Sequence, residues 1–202
     1  MTEKNVKLRP ETRLRAKIAC LEDEVSRLKC KLELLEHHPS LQKGLAGERL
    51  VIKLVRGKPT PFVCDHDVTI RGKLLEIKTS HLNVADRKRD TGTKRWSWRH
   101  VLGNNGEKKF HRLILVGDVD ERCRQLCDDP KSPYVFFDLS RRTAERLARR
   151  GSEGMIQLTS NPSNIAAKNT AARELFFRFQ TTMRKLKRRY GIQRVSKKGC
   201  RM

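Results

Sequence analysis

The sequence predicts an α/β fold, a mixed sheet flanked by helices, with a coiled-coil helix ahead of it and a basic helix behind it. Three observations carry that expectation. An apolar heptad run fills residues 14–35, apolar and polar residues alternate on both sides of Arg71-Gly72, and continuous apolar runs at Leu113-Ile114-Leu115-Val116 and around Val135-Phe136-Phe137 are separated from helical patterns by turn residues. With 202 residues the chain can hold one domain with a proper core plus appendages. The expected division is 1–38 for a dimerisation helix, 39–160 for the core domain and 161–202 for a basic helix and tail.

In the first segment Leu14, Ile18, Leu21, Val25, Leu28, Leu32 and Leu35 repeat at spacings of 4-3-4-3-4-3. Ile18, Val25 and Leu32 fall on a, and Leu14, Leu21, Leu28 and Leu35 on d. β-branched residues at a with leucine at d favour a parallel two-stranded coiled coil, hence a homodimer. The alternative is a helix packed on its own domain, which also needs an apolar stripe. The helix should stop near His37-His38-Pro39, because proline disfavours helical geometry in the residue before it. Ser40 is then a candidate cap for a second helix to about Arg56. Gly57-Lys58-Pro59-Thr60-Pro61 is a turn, after which Phe62-Val63-Cys64 opens the sheet.

From Cys64 to Ser80 the alternation reads as two antiparallel strands. A two-residue loop at Arg71-Gly72 places Ile70 opposite Lys73, Thr69 opposite Leu74, Val68 opposite Leu75 and Asp67 opposite Glu76. Opposed carboxylates repel unless something lies between them. Lys78 rises from the face of Glu76 because side chains on a strand alternate. Two acids and a lysine meeting at one spot suit a divalent cation and an activated water. Downstream, Lys109–Gly117 and Pro133–Leu139 read as strands, Ser140 as the cap of a helix to Arg150, Met155–Leu158 as a short edge strand, and Asn164–Tyr190 as one long helix. Leu175, Phe176, Phe179, Met183 and Leu186 would form the apolar stripe of that helix. Asp118–Glu121 is an acidic island, expected as a solvated turn or helix start.

Asp67 followed, after the strand-turn-strand segment, by Glu76-Ile77-Lys78 resembles the core motif of the PD-(D/E)XK nucleases, the restriction-endonuclease-like superfamily. Gly47-Glu48, at the head of an apolar-periodic run, is similar to the helix that carries an accessory acid in that superfamily. Lys109–Gly117 is similar to its next core strand. The resemblance covers roughly residues 41–140, and His66 stands where a proline often precedes the aspartate. It implies an αβββαβ core with a helix in the segment after the E-x-K strand. It also implies phosphodiester hydrolysis assisted by Mg²⁺, or Mn²⁺. Asp67, Glu76 and the Ile77 carbonyl would hold the metal, Lys78 would position the water or stabilise the transition state, and Glu48 would hold a second metal or a water. Asp65, on the same strand face as Asp67, is the rival ligand. The implied substrate is DNA, double-stranded by preference, and a type II restriction-like endonuclease leads among the family's activities. Junction-resolving and homing nucleases share the chemistry.

The competing class is a non-catalytic, basic coiled-coil protein that binds nucleic acid. Charge supports a polyanion partner on either reading: 46 Lys and Arg against 23 Asp and Glu give +23. Arg87, Lys88, Arg89, Lys94, Arg95 and Arg99, interleaved with Trp96 and Trp98, suit phosphates together with a base or sugar. Tryptophans two apart on a helix do not share a face, so one would pack inward while the other meets solvent or a partner, Trp98 being the candidate contact. One core tryptophan with a solvated loop is the equal alternative. Arg184, Lys185, Lys187, Arg188 and Arg189 form the basic face of the last helix. No long apolar run predicts a membrane span, and the first ten residues lack an apolar segment, so a cytoplasmic protein is expected. Six scattered cysteines without a C-x-x-C pair read as reduced thiols without a metal. His100, Asn104 and His111 bear only a faint likeness to an HNH metal finger, and the Asn-Asn-Gly segment is better explained as a turn.

Overall fold

The computed structural model describes residues 10–61, 64–84, 93–103, 106–148 and 154–191. Arg87, Lys88, Arg89, Asn104, the Phe62-Val63 pair and the tail beyond Gly191 lie outside them. The chain divides into two units, Met1–Lys43 and Gly44–Met202. It is a mixed α/β protein with a mixed sheet and several helices.

In the first unit, helix α1 spans Pro10–Glu36. Its heptad residues Leu14, Ile18, Leu21, Val25, Leu28 and Leu32 are 49–63% exposed. Helix α1 ends where Pro39 demands it, with the Glu33 carbonyl accepting from the His37 amide at 3.0 Å. Helix α2 spans Pro39–Val55. Ser40 therefore lies inside its first turn instead of capping it; proline is tolerated there because its missing N–H has no intrahelical partner anyway.

The second unit is built on a six-stranded sheet. Its strands are β1 (Lys58–Pro59), β2 (Val68–Ile70), β3 (Lys73–Ser80), β6 (Arg112–Asp118), β7 (Tyr134–Ser140) and β9 (Gln180–Thr181), in spatial order β1-β2-β3-β6-β7-β9. Strands β3 and β6 are parallel; the other neighbours are antiparallel. The expected turn at 57–61 is partly strand, because Lys58 and Pro59 pair with Thr69 and Val68 at the sheet edge. The β2–β3 register matches the expectation at Val68–Leu75, Thr69–Leu74 and Ile70–Lys73. Arg71 (φ 48°) and Gly72 (φ 71°) both take positive φ, as a type I′ turn requires. The strained Arg71 is held by its guanidinium, which donates to the Gly191 carbonyl at 2.9 Å.

Alternation along the strands divides the core between two faces. Leu75, Ile77, Ile114, Val116 and Phe136 pack with Val51 and Val55 of α2 and with Leu186 and Tyr190. Leu113, Leu115, Phe137 and Leu139 pack with Trp96, Trp98 and Phe176 on the opposite face. The segment between β3 and β6 differs from the helix implied by the resemblance. Its described part forms β4 (Asn83–Val84) and β5 (Lys94–Trp98), which join β8 (Ile156–Thr159) in a second sheet of order β4-β5-β8. Lys94-Arg95-Trp96-Ser97-Trp98 alternates with period two, which suits a strand once Asn83–Val84 and Ile156–Thr159 supply its partners.

On a strand, residues two apart share a face, so both tryptophans point inward. Their rings stack at 6.0 Å, and their N–H groups donate to the Asp118 and Val116 carbonyls at 3.0 and 2.9 Å. Trp98 is fully buried and is no surface contact for nucleic acid. The acidic island is a helix start, one of its two expected forms, but Asp120 is not solvated. Asp120 is buried and caps a 3₁₀ helix, Glu121–Leu126; hydrogen bonds from Arg122 and Ser160 outweigh burial and lower its pKa to about 2.

Beyond β7, helix α3 spans Arg141–Ala148, and Ser140 Oγ accepts from the Thr143 amide at 3.2 Å. The expected long helix over 164–190 is instead α4 (Pro162–Ala166), α5 (Ala171–Glu174), a π-helix (Leu175–Phe179), β9 and α6 (Met183–Tyr190). Gln180 and Thr181 leave the helix to pair with Phe137 and Phe136 on the edge of β7. The predicted apolar stripe is thereby split: Leu175 and Phe176 pack on one face of the sheet, Met183 and Leu186 on the other. Among the described residues no helix is long and apolar enough to cross a membrane.

Substituting Trp98→Ala should destabilise the fold by about 3–5 kcal/mol in urea titrations. A surface tryptophan would cost under about 0.5 kcal/mol.

Candidate functional site

Glu76 and Lys78 share a face of β3 because they are two residues apart on a strand. Glu76 is fully buried. Its Oε1 pairs with Lys78 Nζ at 3.0 Å and with Lys108 Nζ more closely still. Its Oε2 is buried and, among the described residues, has no hydrogen-bond partner. A buried carboxylate oxygen left unsatisfied is costly, and it marks a place where a cation or an ordered water belongs.

Asp67 lies just ahead of β2, outside the regular ladder. Its amide donates to the Leu75 carbonyl, and its own carbonyl accepts from the Thr60 amide, both at 3.0 Å. Its Oδ2 accepts from the Ile77 amide at 2.6 Å. The aspartate therefore does what a longer β2 would have done, satisfying the backbone of β3 where strand pairing stops. The direct Asp67–Glu76 opposition expected from the ladder is replaced by this side-chain bond to the next residue of β3. Within a strand the N–H and C=O of one residue face the same neighbour, so the Ile77 carbonyl faces the edge that Asp67 occupies.

Glu48 is brought in by α2. Gly47 is buried, and a Cβ there would lie 2.0 Å from Thr79 Oγ1, so only glycine lets the helix approach β3 this closely. Burial is the largest influence on the Glu48 carboxyl and raises its pKa from 4.5 to about 7. Asp67 and Glu76 add to the rise, while Lys78 and Lys108 oppose it. Glu76 is also raised, by burial first and then by Asp67, with the two lysines pulling against them. For Lys108 burial favours the neutral amine, but the hydrogen bond and charge of Glu76, with Asp67, hold its pKa above the ordinary value.

Five charged side chains thus act on one another electrostatically: Glu48, Asp67, Glu76, Lys78 and Lys108. Four of them are legible in the sequence. Lys108 is not; it precedes β6 and reaches Glu76 through the parallel pairing of β3 with β6, which sets Glu76 beside Leu113. Asp65 is half-buried, and among the described residues no contact places it in this group. Among the described residues, no group of three or more His, Cys, Asp and Glu side chains is arranged to hold a metal ion. His111 serves the backbone instead, its Nδ1 accepting from the Leu74 amide at 2.9 Å. Burial pushes the Cys123 and Cys127 thiols up to about 11.

The expected nucleic-acid contacts are dispersed. Lys94 and Arg99 are exposed and Arg95 half-buried. On α6, Leu186 and Tyr190 face the core and leave Arg184, Lys187 and Arg188 outward. Lys185 pairs with Asp128 at 2.6 Å, and Arg189 pairs with the buried Asp138, which also binds Arg112 and the Tyr190 hydroxyl. No protein-family model, curated protein or solved structure matches the chain.

The raised Glu48 carboxyl sets a pH dependence of stability. Between its ordinary pKa of 4.5 and about 7, the folded chain keeps a proton that the unfolded chain has released. Its contribution is therefore full below the lower value and lost as pH rises through the upper. In EDTA, Glu48→Gln should raise the melting temperature at pH 8 by about 2–4 °C and leave it unchanged at low pH. An equal gain at both ends of the titration would assign the effect to something other than ionisation.

Proposed function

We propose that the chain is a divalent-metal-dependent nuclease that hydrolyses phosphodiester bonds in DNA, with a type II restriction-like activity and a restriction-endonuclease-like core in which the described part of the segment after the E-x-K strand is β4 and β5 instead of a helix. The observation that carries this reading is Glu76: fully buried, one oxygen held by two ammonium groups, the other without a partner among the described residues, beside an aspartate pinned to the next residue of the strand. The donor chemistry suits a hard cation. Mg²⁺ retains several waters and is commonly held through one or two carboxylates and the substrate's phosphates, so a protein set of three ligands is not required. Asp67, Glu76 and the Ile77 carbonyl would hold it, and Mn²⁺ would fit the same oxygens. Bound there, the ion supplies a Lewis acid and a water of lowered pKa.

The chain's own residues do the rest. Lys78 holds the attacking water against the phosphate, and Glu48, whose pKa lies near 7, is matched to take its proton. The water oxygen bonds to phosphorus, the bond to the leaving sugar oxygen breaks, and that oxygen takes a proton from solvent. Lys108 acts through Glu76: its hydrogen bond and charge oppose the rise that burial imposes on that carboxyl.

Two copies joined through α1 would present two such sites, one for each strand of a duplex. Support for the pairing comes from the exposed a and d residues and from the charges beside them. In a parallel dimer Lys17 at g of one copy faces Glu22 at e of the other, and Glu24 faces Lys29; both pairs are attractive and all four side chains are exposed.

Supercoiled plasmid should be nicked in Mg²⁺ and not in EDTA, and Glu76→Ala and Lys78→Ala should each lower the rate at least about 100-fold. Equal cutting by wild type and both variants would end the enzymatic reading, leaving the Glu76–Lys78–Lys108 ion cluster as a structural element of a nucleic-acid-binding protein. By light scattering the wild type should have the mass of two chains, and a Leu21→Glu, Leu28→Glu double variant the mass of one. A monomeric wild type would remove the two-site arrangement.

A further inference from the structure

On the face of the second unit formed by α3, α5 and the π-helix lies a groove of about 1240 Å³. It lies apart from the carboxylate cluster and none of the expected contacts line it. Arg142, Arg146, Lys168, Arg173 and Arg178 line it against two acids, Glu145 and Glu174. The acids are occupied: Glu145 by Arg141 at 2.7 Å, and Glu174 by Arg146 and, at 3.9 Å, by Arg178. Arg142 and Lys168 are exposed, and among the described residues neither has an ion-pair partner. Two uncommitted cations at the wall of a groove are a place for phosphate.

Phe177 adds what a plain phosphate site lacks. Its neighbours Leu175 and Phe176 are buried, but the π-helix turns Phe177 outward, where it is 61% exposed. π-Helical turns are rare and concentrate at functional sites. Arg173 covers one face of the ring, its Cζ 4.8 Å from the centroid and its Nη1 anchored on the Ala166 carbonyl at 2.9 Å. With so much of the ring exposed, the second face is open to solvent. An aromatic ring framed by cations is the combination that binds an unpaired strand: the ring stacks a base whatever its identity, and the cations follow the backbone. Exposed Phe177 and half-buried Phe179 are the groove's two rings, too little apolar surface for a membrane or an amphipathic helix.

The groove is linked to the carboxylate cluster. Arg141, one residue before Arg142, donates to the Lys108 carbonyl, and the Lys108 ammonium holds Glu76. We infer that this groove binds an unpaired nucleic-acid strand, with phosphates on Arg142 and Lys168 and a base stacked on Phe177, a choice of ligand that rests on the phosphodiester reading of the neighbouring site.

The test is fluorescence anisotropy of the full chain in EDTA, with a labelled oligothymidylate and a duplex of equal length as probes. Phe177→Ala should weaken single-strand binding about 10-fold, and Phe177→Leu, which keeps the apolar bulk, should do the same. Arg142→Ala with Lys168→Ala should reduce the salt dependence by about two phosphates' worth of counterion release. A 2-aminopurine base in the strand should be quenched by the wild type and not by Phe177→Leu. Unchanged single-strand affinity in both Phe177 variants, or duplex binding equally tight and equally indifferent to them, would overturn the proposal even if the plasmid is nicked. Phe177-dependent binding without any nicking would keep the groove and discard the nuclease.

Discussion

A carboxylate taken wholly out of water needs compensation, and around Glu76 that compensation organises the neighbourhood. Ionising it in the core costs several kcal/mol unless cations come with it, which is what Lys78 and Lys108 supply. Lys78 comes with the strand, but Lys108 depends on the parallel β3–β6 pairing that brings the residues before β6 alongside. Among the described residues the second carboxylate oxygen is still unmatched. A fold that keeps an unsatisfied acid where a leucine would pack has accepted a cost with no return in stability, and such sites are where function is sought first.

The edge of the sheet is arranged to hold the second acid beside the first. Strand β2 is short, and the Asp67 carboxylate stands in for the missing backbone partner of Ile77. Its position is therefore set by three hydrogen bonds and not by a side-chain rotamer alone. The hairpin that delivers it is tied at its far end, since Arg71 reaches the Gly191 carbonyl after α6. On the other side of β3, Gly47 lets α2 come close enough to present Glu48.

The C-terminal segment carries the basic surface in two parts for the same structural reason. Pairing of Gln180 and Thr181 with β7 carries the chain around the sheet edge. The arginines before that point, with Phe177, face the groove beside α3, and those after it lie on α6, where Arg189 is partly occupied by Asp138. A continuous helix would have merged them into one stripe. Under the proposed function the two surfaces would engage different parts of one substrate.

Local spacing determined a good deal of this protein. The heptads of α1, the β2–β3 register, the shared face of Glu76 and Lys78, and the helix carrying Glu48 all follow from periods of 3.5, 3.6 or 2 in neighbouring residues. Tertiary structure decided the rest. Lys108 reaches Glu76 across a parallel pairing of strands separated by more than thirty residues, which no local pattern encodes. Trp98 turned inward because its segment found strand partners in Asn83–Val84 and Ile156–Thr159, reversing the inference drawn from a helix. The final helix broke because Gln180-Thr181 had an open sheet edge to pair with. Short-range periodicity specifies which face a side chain takes once its element is known; which element forms, and what stands opposite, depends on pairings between distant strands.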